Sequence, residues 1–450
     1  MRWAPISLFV LCVAFAVPAQ AQFLTDDDKA RLQAEYDKIQ EEISVWQKVL
    51  DETRAKKDTL QGDVTSLNAL IKKAEAEIKQ RNITVQKLGS EIKRKSENIA
   101  VLEERLARGK DSLASMLRIQ NTADGQSLAE LVLSTEDFSS FFGDLDQLAT
   151  VRRDLQKLFV ELTLVKDETE AERVALTTKQ NAELDARHEI EVTRRQIAAN
   201  EAEKAKLLKI TKDQEKSYQN VLAERQRKSE QIKSALFPLR DLEGISFGTA
   251  LDYAAYASEK TGVRTALILA ILSQESDLGK NIGSCYVTDL TTGDGIGKNT
   301  GTAFQKVMKA PRDTAPFERI TDALGKLWGA TPVSCPLGKT YTASRGYGGA
   351  MGPSQFIPST WELYEKRLKS TLGVEQPDPW DPKHAIMATA LYLQDLGAAG
   401  GTYSAERNAS CRYYSGRACD TKKPTNYTYG DSVVKKADDF QANIDFLKGV

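Results

Sequence analysis

Histidine is almost missing from this chain: His188 and His384 are the two among 450 residues. That scarcity excludes the paired-histidine metal sites of zinc peptidases, and no histidine follows a cysteine placed to act as a nucleophile. Excess charge of one sign is missing too; the formal net charge is −1, so no electrostatic feature points to nucleic acid. Proline is absent from residue 24 to 236, and aromatics are few there. After Pro238, glycine, proline, tyrosine and four cysteines gather. Two different kinds of sequence are joined end to end.

Long apolar runs are scarce as well. The notable one, Ile6 to Val17, follows Arg2 and precedes Pro18 and the small-x-small triplet Ala19-Gln20-Ala21. This pattern reads as a secretory signal peptide over 1–21, cleaved after Ala21, and is short for a bilayer span. The expected destination is the periplasm, cell wall or extracellular surface. Removing the signal leaves Cys285, Cys335, Cys411 and Cys419, an even count that favours two disulfides in an exported chain. Of three connectivities we take the nearest-neighbour pairing, Cys285–Cys335 with Cys411–Cys419. Their spacings do not suit zinc, and neither a metal nor a cofactor is expected.

Charged residues and leucine dominate the first half. Stepping by seven from Leu32 through Ile39, Trp46, Leu60 and Leu67 to Leu102, and from Tyr36 through Ile43, Leu50, Val64 and Ile71 to Leu113, gives two interleaved rows. They alternate by four and three, a heptad seam held for about twelve repeats. One continuous helix of this length would reach roughly 130 Å. Gly125 and a cluster of Ser, Thr and Asp then break the pattern. A looser seam returns with Leu155, Leu158, Leu162, Val165, Leu176, Ile190, Ile197 and Leu207. The expectation is an antiparallel coiled-coil hairpin over 24–237 with small helices at its tip, about 118–150. Phe237-Pro238 closes it.

Within this half, Leu131-Val132-Leu133-Ser134 and Phe138-Ser139 precede the leucine-spaced return. Here the chain resembles the coiled-coil domain of bacterial murein-hydrolase activators and division-associated wall hydrolases. The resemblance implies docking to a membrane division complex and restraint of the attached domain; a passive spacer is the plainer alternative.

Residues 244–450 read as a compact α domain. "TALDYAAYASEKTG" is a helix closed by Gly262, and "VRTALILAILSQE" is a buried helix that carries Glu275 at its end, with Gly279 marking the stop. Asp381-Pro382 supplies an N-cap and first-turn proline for a helix containing Ile386, Ala390 and Leu393. Between these lies an insertion, 280–345, with room for a short hairpin. "YGGAMGPSQFIPSTW" follows, with glycines that allow close backbone approach, the amide of Gln355, the flat ring of Phe356 and Pro358 opening a helix. Such residues suit sugar rings, which take hydrogen bonds at their edges and apolar contact on their faces.

Glu275-Ser276 followed by Gly-Ala-Met-Gly-x-x-Gln-Phe-x-Pro-Ser resembles lytic transglycosylases, relatives of goose-type lysozyme. "GGAMGPSQFIPSTW" and "PWDPKHAIMATALYLQDLGA" are most similar to the membrane-bound B type, and "YYSG" at 413–416 is similar to the Tyr-Asn-Ala-Gly element of the soluble type. By position the resemblance implies Glu275 as catalytic acid and Ser276 as its orienting hydroxyl. It implies Met351, Gln355 and Phe356 as groove residues and Tyr413 as the tyrosine facing the glutamate. The chain departs from the pattern at Tyr414-Ser415, where Asn-Ala is usual, and in the length of the insertion. Asp277, Asp289 and Asp294 are competing acids, with turn chemistry expected for Asp294.

The expected fold is therefore mainly all-α, a long hairpin followed by a lysozyme-like α domain with a disulfide-bearing insertion. The expected activity is cleavage of the MurNAc-GlcNAc β-1,4 bond of peptidoglycan by one glutamate, leaving 1,6-anhydro ends. A lysozyme-like hydrolase and a non-catalytic wall-binding activator are the alternatives.

Overall fold

Thr53 and Lys57 occupy seam positions, one in each heptad row, and the first helix ends at Thr53. The computed structural model describes residues 25–53, 59–124, 138–209, 220–224, 226–227, 247–336, 346–423 and 425–448. The signal segment 1–21, the middle of the expected tip (125–137) and Phe237-Pro238 lie outside them. Helix α1 spans Asp26–Thr53 and α2 spans Leu60–Asp124. They run antiparallel: Lys73 donates to Gln47 at 2.8 Å, and Lys87 to Gln33 at 2.9 Å. The single rod expected over 32–113 is thus corrected to two helices folded on each other. Leu32 and Ile39 pack with Ala76 and Ile83 in one buried cluster. A heptad seam fixes which face is apolar but not whether it meets another chain segment or itself, so periodicity alone missed the reversal.

Helix α3, Phe138–Leu208, returns along α2. As numbers rise on α2 they fall on α3: Asn68 meets Lys204, Glu91 meets Lys179, Lys95 meets Glu172 and Arg105 meets Glu161. These partly exposed pairs contribute little individually. The apolar seam, with Ile99, Leu155, Leu162, Val165 and Ile190 buried, carries the association. Within the expected tip, α2 continues to Asp124 and α3 already begins at Phe138.

The chain divides into two compact units, residues 1–205 and 206–450. In the second, α4 (Phe247–Thr261), α5 (Thr265–Ser276), α6 (Thr314–Ala323), α7 (Pro358–Leu372), α8 (Pro382–Asp395), α9 (Tyr403–Ser415) and α10 (Tyr427–Lys448) surround one core. Every residue from Ala266 to Leu272 is fully buried, so α5 is apolar on all sides and forms the central post. It packs against α4, α8 and α10. Local signals agree with the sequence: Gly262 ends α4 at φ 73°, Pro358 opens α7, and the Asp381 carboxylate accepts the His384 N–H at 3.1 Å ahead of α8.

The insertion holds a small antiparallel sheet, β1 (Cys285–Val287), β2 (Gly295–Gly297) and β3 (Ala303–Phe304), in that order. Tyr286 pairs with Ile296, and Ile296 with Ala303. A chain of single bridges carries pairing onward from Cys285 to Val333, from Val333 to Met351 and from Met351 to Phe356. The Cys285–Cys335 disulfide ties the same two segments, and Cys411–Cys419 forms the other bond. The insertion is therefore sewn to the glycine-rich wall.

At Gly352 the backbone has φ 60°, and a Cβ there meets the Pro379 carbonyl oxygen at 2.0 Å. Replacing Gly352 by alanine should cost about 2 kcal/mol or more, since both the conformation and the space forbid a side chain. The melting temperature of the second unit should fall by at least ~5 °C, and a shift under ~1 °C would contradict this account.

Candidate functional site

Glu275 sits one residue from the C-terminal end of α5, half-buried, where an apolar post runs out of chain. Burial raises its pKa above the ordinary carboxyl range. Two groups act the other way: the Tyr429 hydroxyl donates a hydrogen bond to Glu275 Oε1, and the Lys436 ammonium lends positive potential. Desolvation wins, so the neutral acid persists above the ordinary pKa.

The turn after Glu275 is strained. Asp277, Leu278 and Gly279 take φ of 50°, 56° and 84° in succession, although glycine alone adopts this region cheaply. α5 thus stops at Ser276, earlier than Gly279 suggested. Ser276, 2 % exposed, holds the turn: its hydroxyl accepts the Gly279 N–H at 2.9 Å and its carbonyl accepts the Asn281 N–H at 3.0 Å. The Leu278 N–H reaches back to the Leu272 carbonyl at 3.2 Å. Ser276 is therefore a brace on the chain that carries Glu275, and its hydroxyl is engaged with the turn.

The wall "GGAMGPSQF" is fixed from both sides. Ser334 accepts the Gly349 N–H through its carbonyl at 2.9 Å and the Ala350 N–H through its hydroxyl at 2.9 Å. The Ser354 hydroxyl donates to the Ala385 carbonyl at 2.7 Å and accepts from Thr389 at 2.7 Å. Gln355 is left-handed at φ 53°, and its amide donates to the Gly352 carbonyl at 2.8 Å. Met351 is 1 % and Phe356 4 % exposed, which corrects the expectation that their side chains form the groove surface. Both belong to the core. Phe356 lies edge-on to Trp361 at 5.9 Å and to Tyr413 at 6.3 Å, so it supports the wall from behind.

Tyr413 and Tyr414 are neighbours on α9 with opposite tasks. The Tyr413 hydroxyl donates to the Ser354 carbonyl at 2.8 Å, and burial first, then the Glu275 charge, pushes its pKa far up. The hydroxyl hydrogen-bonded to the glutamate is that of Tyr429, on α10, while Tyr413, expected to face the glutamate, feels its charge. Burial and the same carboxylate likewise push Tyr429 far above the phenol range. Tyr414 stacks on Tyr429, centroids 4.8 Å apart and planes 15° from parallel.

The link between α9 and α10 that delivers Tyr429 is tightly sewn. Buried Asn426 donates to the Ser415 hydroxyl at 2.8 Å and to the Ala418 carbonyl at 3.0 Å, while accepting the Asp420 N–H at 2.8 Å. A Cβ on Gly430 meets the sulfurs of Cys411 and Cys419 at 2.5 and 3.0 Å, so the disulfide abuts the residue after Tyr429. No sequence motif marked Tyr429; the one available signal was its place between a disulfide loop and a glycine.

The competing acids have local roles. Asp277 pairs with Lys280 at 3.0 Å, Asp289 accepts the Thr291 N–H at 2.7 Å and Asp294 accepts the Lys306 N–H at 3.1 Å. Among the described residues no group of His, Cys, Asp and Glu could hold a metal ion. No helix among them is long and apolar enough to cross a membrane.

No curated protein and no solved structure matches the chain. A family model does. The model described as "Transglycosylase SLT domain" matches residues 185–439, more than half of the sequence, from within α3 through the Glu275 post and the glycine-rich wall into α10. This chain belongs to the transglycosylase SLT domain family.

Proposed function

We propose that this chain cleaves the MurNAc-GlcNAc β-1,4 bond of peptidoglycan with Glu275 as the one acid and base, leaving 1,6-anhydromuramoyl ends. The family gives the substrate class, peptidoglycan, and the transglycosylase type of activity. The observation that carries the finer reading is the environment of Glu275. It is desolvated, hydrogen-bonded on one oxygen by Tyr429, and acted on by a phenol and an ammonium rather than by a second carboxylate.

A glycosidic oxygen leaves poorly unless protonated. With Oε1 held by Tyr429, the proton resides on Oε2 and passes to that oxygen as the bond to C1 breaks. The substrate's own N-acetyl oxygen forms a bond to C1 in place of a second carboxylate. Glu275 is then a carboxylate, stabilised by the Tyr429 hydrogen bond and by Lys436. It takes the proton of the muramoyl C6 hydroxyl as O6 bonds to C1 and the N-acetyl oxygen departs. The carboxyl ends as it began, and no water is consumed. Gln355 and the backbone of the wall offer the hydrogen-bonding edge, with Ser276, Met351, Phe356 and Tyr413 holding it in place.

The apolar run at 6–17 supports export of the chain, in keeping with a substrate outside the cytoplasm. We assign the hairpin a positioning and restraining role at a membrane division complex, on its resemblance to hydrolase activators.

Glu275→Gln should abolish release of muropeptides while sacculus binding persists, read by mass spectrometry of the digest. Products one water lighter than hydrolytic ones are expected from the unaltered protein. Water-containing products would mean a hydrolase, and no products from it would mean a wall-binding activator.

The pH dependence follows from the same geometry. As general acid Glu275 must be protonated, so kcat/KM should fall as pH rises through a pKa above the ordinary carboxyl value. Tyr429→Phe removes a hydrogen bond that favours the charged form, so the alkaline limb should move to higher pH while kcat drops by roughly tenfold or more. A limb that moves to lower pH, or does not move, would contradict the role given to this phenol. Lys436→Met should move the limb in the same direction, with a smaller loss of rate.

A further inference from the structure

The Tyr414 ring has two faces, and one is taken. Its inner face lies on Tyr429 at 4.8 Å, nearly parallel, and Tyr429 in turn holds Glu275. The side chain is nevertheless 56 % exposed, in a region where Tyr392, Tyr413 and Phe356 are all drawn into the core. A large aromatic left open at a surface is unremarkable when it stands alone. This one is the outer layer of a stack that ends at the candidate acid, on a helix whose preceding residue braces the opposite wall.

We propose that the outward face of Tyr414 is a binding subsite for one hexopyranose ring of the glycan strand, next to the bond that Glu275 breaks. This rests on the reading of the Glu275 cleft as a glycan site. A pyranose presents a flat row of C–H groups on one face, and a flat aromatic surface is its natural complement. The stack on Tyr429 makes that surface rigid, so little side-chain freedom is lost when a sugar settles on it. Where the soluble-type motif has asparagine, this chain carries tyrosine. A ring face at this position offers contact that the smaller amide could not. Such a subsite discriminates by the ring's apolar face and tolerates variation in the groups at its rim.

The test separates binding from chemistry. In full-length protein carrying Glu275→Gln, affinity for N-acetylglucosamine tetramer and for a GlcNAc-MurNAc tetrasaccharide is measured by calorimetry, with and without Tyr414→Ala. The expected result is a weakening of about five- to tenfold for Tyr414→Ala, and less than about twofold for Tyr414→Phe, which keeps the flat face. Unchanged affinity in Tyr414→Ala would overturn the subsite. So would a change confined to the pH profile of the otherwise unaltered enzyme, because Tyr414 would then act by shielding Tyr429. Equal loss in Tyr414→Phe would overturn it as well, since the hydroxyl rather than the ring face would be the contact. If the unaltered protein makes no anhydro product yet Tyr414→Ala still weakens sugar binding, the subsite stands and the catalytic reading of Glu275 falls.

Discussion

Desolvation of one carboxyl group is the constraint around which the second unit is arranged. A helix buried on every side is a poor place for a charge, and Glu275 stands where that helix ends. Were it deeper, a carboxylate would be unsustainable; were it in open solvent, the proton would be lost near the ordinary pKa. The half-buried position, tempered by a phenol and an ammonium, raises the pKa of the carboxyl without forbidding its charged form.

Holding that balance takes strain at two places. Three successive left-handed residues follow Glu275, and Gln355 on the wall is left-handed as well. Such conformations persist only where surrounding bonds over-determine them. Ser276 performs this task on one side, while Ser334, Ser354 and Thr389 perform it on the other. The β-bridges from Cys285 through Val333 and Met351 to Phe356 connect the insertion to this wall. An inserted segment thus serves as scaffolding for residues on both sides of it in the sequence.

Much of this was legible beforehand, because local chemistry governed it. Gly262, Pro358 and Asp381-Pro382 act through their own backbones, and the apolar run of α5 needs no partner to be recognised. The nearest-neighbour cysteine pairing also holds. The features that stayed hidden all depend on tertiary placement. The reversal between α1 and α2 keeps the heptad register intact, and polar residues such as Thr53 and Lys57 recur on the seam at Arg81 and Lys95 inside α2, so they did not mark it. The strands of the insertion have two or three residues each, too few for alternation to appear. Met351 and Phe356 occupy a motif that looks like a surface and turns inward. Tyr429 comes to Glu275 from 154 positions away, on the last helix.

The cross-link between Cys411 and Cys419 closes a short loop, so the chain entropy it removes is modest. Its weight is local. It presses on Gly430, beside the phenol that meets the glutamate, and the Asn426 hydrogen bonds secure the same few residues. The position of Tyr429 is thereby tied to the cross-link. The bond between Cys411 and Cys419 therefore does more for the placement of one side chain than for the stability of the unit as a whole.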